Sequence, residues 1–262
     1  MDRDATSRLT TMLNKVPEVT IYFWIIKIMC TTVGETGADL LSVRLNFGLT
    51  LTSYVMSALF IITLIFQVRA RQYIPPLYWI NVVMISVVGT LISDNLVDGM
   101  GISLVTTSIA FGIILAVVFV LWYRSERTLS IHTIVTRRRE LFYWAAILFT
   151  FALGTSVGDL LAEKLDLGYA QAAFIFGAAI GAVTIAHFYF KADAILSFWI
   201  AYILTRPLGA SMGDLFAKPV IAGGFGLGTV TTSFIFLGII LALVIFLTLT
   251  KVDRIPHATA ET

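Results

Sequence analysis

The sequence has few charged residues, three histidines and a single cysteine. Only 13% of its 262 residues are charged, whereas 58% are hydrophobic and the mean hydropathy is +0.91. Because soluble domains carry roughly 25% charged residues, this composition indicates a membrane protein. Cys30 alone excludes an intramolecular disulfide and a multi-cysteine metal site. His132, His187 and His257 lack the spacing of zinc or haem ligands, so no cofactor is predicted.

Apolar stretches of about 20 residues, enough to cross a ~30 Å hydrocarbon layer, recur along the chain. They predict eight spans, near residues 19–41, 47–67, 78–98, 102–123, 141–162, 168–190, 195–216 and 229–250. We therefore expect an all-α, polytopic membrane protein. Its predicted parts are a cytosolic arm over 1–18, one transmembrane domain over 19–250 and a cytosolic tail over 251–262. The polar start of the chain has no apolar core or cleavage site typical of a signal peptide.

The basic residues are distributed unevenly between the two ends of the predicted spans. Thirteen of the eighteen lie on the side that holds both termini and the arginine-rich loop between spans four and five. The other side has only Arg44, Lys164 and Lys218, while Lys27 and Arg206 lie inside spans. By the positive-inside rule, both termini and the long loop are predicted to be cytosolic.

Four copies of one motif open the odd-numbered spans. Each copy has an aromatic residue followed by tryptophan, then a glycine ten residues and an aspartate fifteen residues after the tryptophan. The members are Trp24, Trp79, Trp144 and Trp199; Gly34, Gly89, Gly154 and Gly209; and Asp39, Asp94, Asp159 and Asp214. Fixed offsets in four copies predict two-span repeats at about 19–70, 74–123, 139–190 and 194–250. Each unit crosses twice, so the repeats are parallel and the bundle is pseudosymmetric.

These motifs resemble those of a family of bacterial integral membrane proteins. Members of that family consist of four tandem copies of a repeat of unknown function, each with two transmembrane segments and a characteristic tryptophan. The resemblance covers nearly all residues from 19 to 250. It implies this architecture and a bacterial inner (plasma) membrane location, but no activity.

The repeated residues also predict depth and packing. The tryptophans lie near charged or proline-containing sequence and are interpreted as anchors at the cytosolic interface. Fifteen helical residues place the aspartates roughly 22 Å deeper, in the outer third of the core. The glycines, each followed four residues later by another small residue, predict close helix packing. The expected arrangement is an inner ring of odd-numbered helices with even-numbered helices outside.

A polar line runs along each odd-numbered helix, at 7, 11 and 15 residues after the tryptophan, since residues four apart share a face. Its polar members are Thr31, Glu35, Asp39, Ser86, Thr90, Asp94, Thr155, Asp159, Arg206 and Asp214. Ionisable groups within a bilayer are costly and usually serve pairing, ion pathways or proton relays. Five acids against the two bases Lys27 and Arg206 leave an excess of three negative charges, which favours a cation. Carboxylate and hydroxyl oxygens suit Mg²⁺, Mn²⁺ or Ca²⁺, and clustered acids also favour exchange with protons.

The sequence therefore predicts a transporter of a small, divalent-class cation. Glu35 and Asp39 are the predicted principal ligands. The further predicted ligands are Asp94, Asp159, Asp214, Thr31, Thr90 and Thr155, and the predicted counter-charges are Arg206 and Lys27. The predicted partners are the lipid bilayer, the cation and protons, with no nucleic acid; the oligomeric state stays open.

Several alternatives stay open beside this prediction. The same architecture is also compatible with a cation channel or with a structural or sensor subunit. A structural role for the aspartates, in turns or as partners of Arg206, Lys164 and Lys218, is a comparable alternative. No nucleophile and base pair or cofactor fingerprint indicates an enzyme.

Overall fold

The computed structural model describes residues 14–253, which form eight long helices and, within that range, no strand. The helices are α1 (Ile21–Asp39), α2 (Leu49–Arg69), α3 (Pro75–Asp94), α4 (Leu104–Glu126), α5 (Arg137–Asp159), α6 (Tyr169–Phe190), α7 (Ala194–Ala217) and α8 (Thr229–Thr250). Short π-helical turns follow α1, α3 and α5 at Leu40–Arg44, Asn95–Gly99 and Leu160–Lys164. The helices match the eight predicted apolar stretches.

The predicted arm and tail are described only in part. The arm over 1–18 is described from residue 14, and the tail over 251–262 only to residue 253. Outside the described residues lie Arg3, Arg8, Arg254 and His257. The start of the chain, for which no signal peptide is predicted, also lies outside them.

Seven of the eight helices are long and apolar enough to cross a bilayer, which makes this a multi-pass membrane protein. The exception among the described helices is α1, so seven of the eight predicted spans meet this criterion. The apolarity of α1 is lowered by five buried polar side chains, which are Lys27, Glu35, Thr31, Thr32 and Thr36. A helix covered by neighbouring helices on its polar side does not need an apolar surface all round.

Local sequence sets where the helices begin. The side chains of Thr20, Thr136 and Asp193 accept hydrogen bonds from backbone N–H groups at the starts of α1, α5 and α7. Pro75 opens α3 at a position where a missing N–H costs little. Glycines at φ of 74°, 76° and 81° precede α2, α6 and α8; they are Gly48, Gly168 and Gly228. This left-handed conformation favours glycine and allows the sharp return of the chain.

The odd-numbered helices form a ring. Contacts join α1 to α3, α3 to α5, α5 to α7 and α7 back to α1. Each even-numbered helix packs against the odd-numbered helix of the next repeat, with α2 on α3, α4 on α5, α6 on α7 and α8 on α1. In an apolar 18-residue stretch of each helix, 56% of the residues are buried in α3, α5 and α7, against 6% to 28% in the even-numbered helices. The arrangement matches the predicted inner ring with outer helices.

The four repeated glycines lie where neighbouring ring helices cross. A Cβ atom at Gly34 would overlap Ser86, and one at Gly209 would overlap Thr31. The remaining two pairs are Gly89 with Phe151 and Gly154 with Arg206. In every case the partner is the residue seven positions after the tryptophan of the next repeat, and the fourth repeat closes onto the first. Small residues at these crossings permit the close approach of the helices.

The repeated tryptophans lie inside the bundle. Trp79, Trp144 and Trp199 are at most 4% exposed, and Trp24 is partly buried. The indole of Trp199 donates a hydrogen bond to the carbonyl of Leu129 at 2.9 Å. A lipid-interface anchor would present its ring on the outer surface, so these rings instead pack the end of the ring that holds the described parts of both termini.

Candidate cation site

The repeated aspartates lie where the ring helices end. Asp39, Asp94 and Asp159 are the last α-helical residues of α1, α3 and α5, and a π-helical turn follows each one. Short π-helical segments are often found at functional sites. Asp214 lies three residues before the end of α7. Equivalent positions in four ring helices thus bring the carboxylates to one end of the bundle.

Three carboxylates converge. Glu35 of α1, Asp159 of α5 and Asp214 of α7 each place an oxygen within 4.8 Å of the other two. Glu35 and Asp214 are buried, and Asp159 is partly buried. Asp94 of α3 interacts electrostatically with Glu35 and Asp39. All four ring helices therefore contribute acidic side chains to the same region, which we call the acid cluster: Glu35, Asp39, Asp94, Asp159 and Asp214.

Arg206 contacts every helix of the ring. Its guanidinium is fully buried on α7 and donates to Glu35 Oε2 at 3.1 Å. It also donates to the hydroxyls of Thr155, at 2.6 Å, and Thr90, and to the carbonyl oxygen of Thr31 at 3.4 Å. The side chain extends about one helical turn along the axis, from its own Cα atom toward the acid cluster, beside the small, buried Ala210. The guanidinium, which stays protonated, therefore places a positive charge at the inner side of the acid cluster.

Lys218 provides the second base. It follows α7 directly, and its ammonium lies 3.3 Å from Asp39 and 3.6 Å from Asp214. Burial opposes the charged form of Lys218, but the surrounding carboxylates, Asp214 first, outweigh burial and hold its pKa above the ordinary lysine value. Lys218 therefore stays charged and neutralises part of the acid cluster.

Among residues 14–253, Asp159, like Asp94, lacks the ion pairs that Glu35, Asp39 and Asp214 make with Arg206 or Lys218. Within residues 14–253, its carboxylate makes no ion pair or side-chain hydrogen bond. The strongest charges that act on it are those of carboxylates, Glu35 first and then Asp214. A carboxylate in such surroundings needs a cation or a proton to offset the repulsion.

Some predicted ligands make contacts other than those expected of cation ligands. The hydroxyl of Thr31 donates to the carbonyls of Ile28 and Thr205, and those of Thr90 and Thr155 accept from Arg206. The three threonines thus hold helices and the guanidinium, and are not free to coordinate a cation. Asp39, expected with Glu35 as a principal ligand, pairs with Lys218, and the convergent partners of Glu35 are Asp159 and Asp214.

Lys27 is not a counter-charge of the acid cluster. It lies two turns of α1 away from Glu35, with its ammonium 4.1 Å from the ring centroid of Phe151 and 4.2 Å from that of Tyr202. The prediction failed because a net count of charged residues within spans carries no information about which of them meet.

Two further acids border the cluster one turn beyond the repeated aspartates. Asp98 acts electrostatically on Asp94, and Glu163 acts on Asp159 and Asp214. Glu163 also accepts a hydrogen bond from the hydroxyl of Tyr169 at 3.2 Å. Their signal in the sequence is the offset of nineteen residues from the tryptophan, at which Lys218 also lies.

The fold and the site define a multi-pass, all-helical membrane protein made of four two-helix repeats around an axis lined by ionisable groups. The chain belongs to the family described as Repeat of Unknown Function (DUF347), which matches residues 22–73, 77–128, 142–193 and 197–253. Each match spans one odd-numbered and one even-numbered helix. No curated protein and no solved structure matches the chain.

Proposed function

We propose that this protein is a transporter that binds a small cation, of the Mn²⁺, Mg²⁺ or Ca²⁺ class, within the acid cluster. The observation that carries the proposal is Asp159, a carboxylate close to Glu35 and Asp214 and without a basic partner among residues 14–253. The five acids of the cluster against Arg206 and Lys218 leave three formal negative charges. A divalent cation would offset two of them.

The spacing of the carboxylates supports one shared ion. Oxygens that each lie about 2.0–2.6 Å from a hard cation are at most about 5 Å apart. The oxygens of Glu35, Asp159 and Asp214 lie within 4.8 Å of one another. Arg206 and Lys218 are then fixed charges that keep the remaining acids from being unpaired when the ion leaves.

The filled axis favours a carrier over an open channel. Four fully buried side chains fill the ring between the acid cluster and its opposite end: Arg206, Lys27, Phe151 and Tyr202. An ion would have to displace these groups in order to pass, which requires a conformational change. The ion pairs of Glu35 and Asp39 are also compatible with a purely structural role. Neutral variants of the acids distinguish that role from cation transport.

We expect neutralisation of Asp159 to abolish cation movement without loss of the fold. Asp159→Asn keeps the shape of the side chain and breaks no ion pair within residues 14–253, so the protein should purify as a monodisperse species. Mn²⁺ entry into proteoliposomes, followed by quenching of an enclosed dye, should fall to the level of empty liposomes.

The matched control is Asp166→Asn, the same change at an exposed residue of the loop between α5 and α6. Its Mn²⁺ entry should equal that of the wild type. Wild-type rates in Asp159→Asn would show that the carboxylates are structural. A single-channel current in planar bilayers would instead assign the protein as a channel.

We further propose that all eight helices cross the bacterial inner membrane, with both termini in the cytosol, on the basis of the thirteen-to-three distribution of basic residues. Reporter fusions after residues 70, 130 and 255 should report the cytosol. Fusions near residues 45, 100, 165 and 222 should report the outside. A C-terminal fusion that reports the outside would contradict this topology and would place the acid cluster at the cytosolic end.

A further inference from the structure

Lys27 is a lysine buried inside the ring of odd-numbered helices. Its side chain is fully buried within the ring, and its ammonium makes no hydrogen bond within residues 14–253. It lies against the faces of Phe151 and Tyr202, which attract a cation only weakly compared with a carboxylate. Burying a charged group in this way is costly, and the sites described above do not explain why a lysine is present.

A row of tyrosines leads from Lys27 toward the opposite end of the ring from the acid cluster. Tyr202 lies under the ammonium, and its hydroxyl interacts with that of Tyr143. The hydroxyls of Tyr143 and Tyr78 share a short hydrogen bond. All three rings are fully buried.

The row ends at a second buried acid. Glu140, which acts electrostatically on Tyr143, forms an ion pair of 2.7 Å with Lys15 and accepts from Gln67 at 3.2 Å. Ionisable or hydroxyl groups thus follow the axis from Arg206 through Lys27 and the tyrosines to Glu140, beside which Lys15 also donates to the carbonyl of Val68.

We propose that Lys27 is the proton-exchanging group of the transporter, and that Tyr202, Tyr143 and Tyr78 carry its proton to the cytosolic end. This inference rests on the proposed function and makes the transporter a cation/proton exchanger. When a cation occupies the acid cluster, the Lys27 ammonium releases one proton to the tyrosine row and becomes a neutral amine. When the cation leaves outward, the amine takes up one proton from the outer side through the emptied acid cluster, so a proton moves inward as a cation moves outward and the charge is restored.

The chemistry of the facing groups supports this assignment. The titratable or charged groups that act on Lys27 are Cys30 on its own helix and Arg206 on α7, with the phenol of Tyr202 against it; from α5 it meets the ring of Phe151. Arginine stays protonated, whereas a buried lysine can exchange its proton. A cation bound next to Arg206 adds positive charge on the outer side of Lys27, so ion binding and proton release are coupled by electrostatic repulsion.

The test measures Mn²⁺ and proton movement together in the same proteoliposomes, with one enclosed dye for each. In the wild type, a Mn²⁺ gradient should drive protons in the opposite direction. Lys27→Met removes the proton site and Tyr143→Phe removes one hydroxyl of the row while keeping its ring. In both variants, Mn²⁺-driven proton flux should fall by about 100-fold, the scale of losing a positioned proton-transfer group. Lys191→Met, at an exposed lysine after α6, should leave the proton flux unchanged.

The outcomes separate the inference from the proposed function. Wild-type proton flux in both Lys27→Met and Tyr143→Phe would overturn the inference, as would wild-type protein that moves Mn²⁺ without protons; in either case cation transport would stand. Wild-type protein that moves no Mn²⁺ would overturn the proposed function and this inference with it. Where Lys27→Met does not fold, Tyr143→Phe and the charge-retaining Lys27→Arg, which cannot release a proton, decide the matter by the same flux.

Discussion

Arg206→Ala should destabilise the protein more than any other single substitution in the ring. It removes a buried guanidinium that holds Glu35 and the hydroxyls of Thr90 and Thr155. Breaking a buried ion pair from one side costs about 3–5 kcal/mol because the other charge is left unpaired. We expect the purified variant to lose its monodisperse peak at a markedly lower temperature than the wild type in detergent.

The double variant tests the reason for this loss. Glu35→Gln in the background of Arg206→Ala removes the stranded charge, and should recover part of the thermal stability. If the double variant is less stable than Arg206→Ala alone, the guanidinium stabilises the ring through the threonines and not through Glu35. The comparable change outside the ring is Arg71→Ala, at an exposed residue between α2 and α3, which should leave stability unchanged.

Gly209→Val should have the second-largest effect on stability. Even a Cβ atom at this position would overlap the side chain of Thr31, and the two branches of valine add further overlap. Overpacking of a closely packed site costs typically about 1–3 kcal/mol and occasionally more. The cost falls on the contact between α7 and α1 that closes the ring, so we expect the variant to fold poorly or to unfold at a lower temperature.

Gly238→Val is the matched control. Gly238 lies on α8, where an added Cβ would meet nothing within 4 Å. Replacing glycine within an exposed helix removes a helix-breaking residue, so its stability should stay the same or rise slightly. Equal losses in Gly209→Val and Gly238→Val would mean that the glycines matter for helix flexibility and not for the closure of the ring.

The architecture could be predicted because its signals are periodic. Apolar runs fixed the helix positions, and the offsets of glycine and aspartate from the tryptophan fixed the repeat. Each odd-numbered helix has a line of polar residues beside a line of small residues. Four helices packed around a common axis satisfy both lines, because the polar residues then face the axis and the small residues lie at the helix contacts. The first and third repeats are the most alike locally, with Asn46 and Asp166 in equivalent left-handed turns after the π segments.

The pairing of charges within the site could be predicted only in part: the sequence indicates Arg206 as a counter-charge and Lys218 as an alternative partner of the aspartates, but not which acid each base meets. The guanidinium of Arg206 lies about one helical turn from its Cα atom because the long side chain extends along the axis. The position of the residue in the helix therefore does not give the position of its charge. Lys218 lies in the loop after α7, and only the turn at the end of that helix brings it to Asp39 and Asp214. The tryptophans were assigned to the lipid interface from neighbouring sequence alone, which does not show which side of a helix its neighbours cover.

The most direct test of the account is the position of a bound ion. Crystals grown with Mn²⁺, measured at the wavelength at which manganese scatters anomalously, should show one peak between Glu35, Asp159 and Asp214, about 2.0–2.6 Å from their oxygens. The peak should be lost in Asp159→Asn and retained in Asp166→Asn. A saturating Mn²⁺ concentration that gives no peak within the acid cluster, or a peak unchanged by Asp159→Asn, would contradict the proposal that these carboxylates bind a cation.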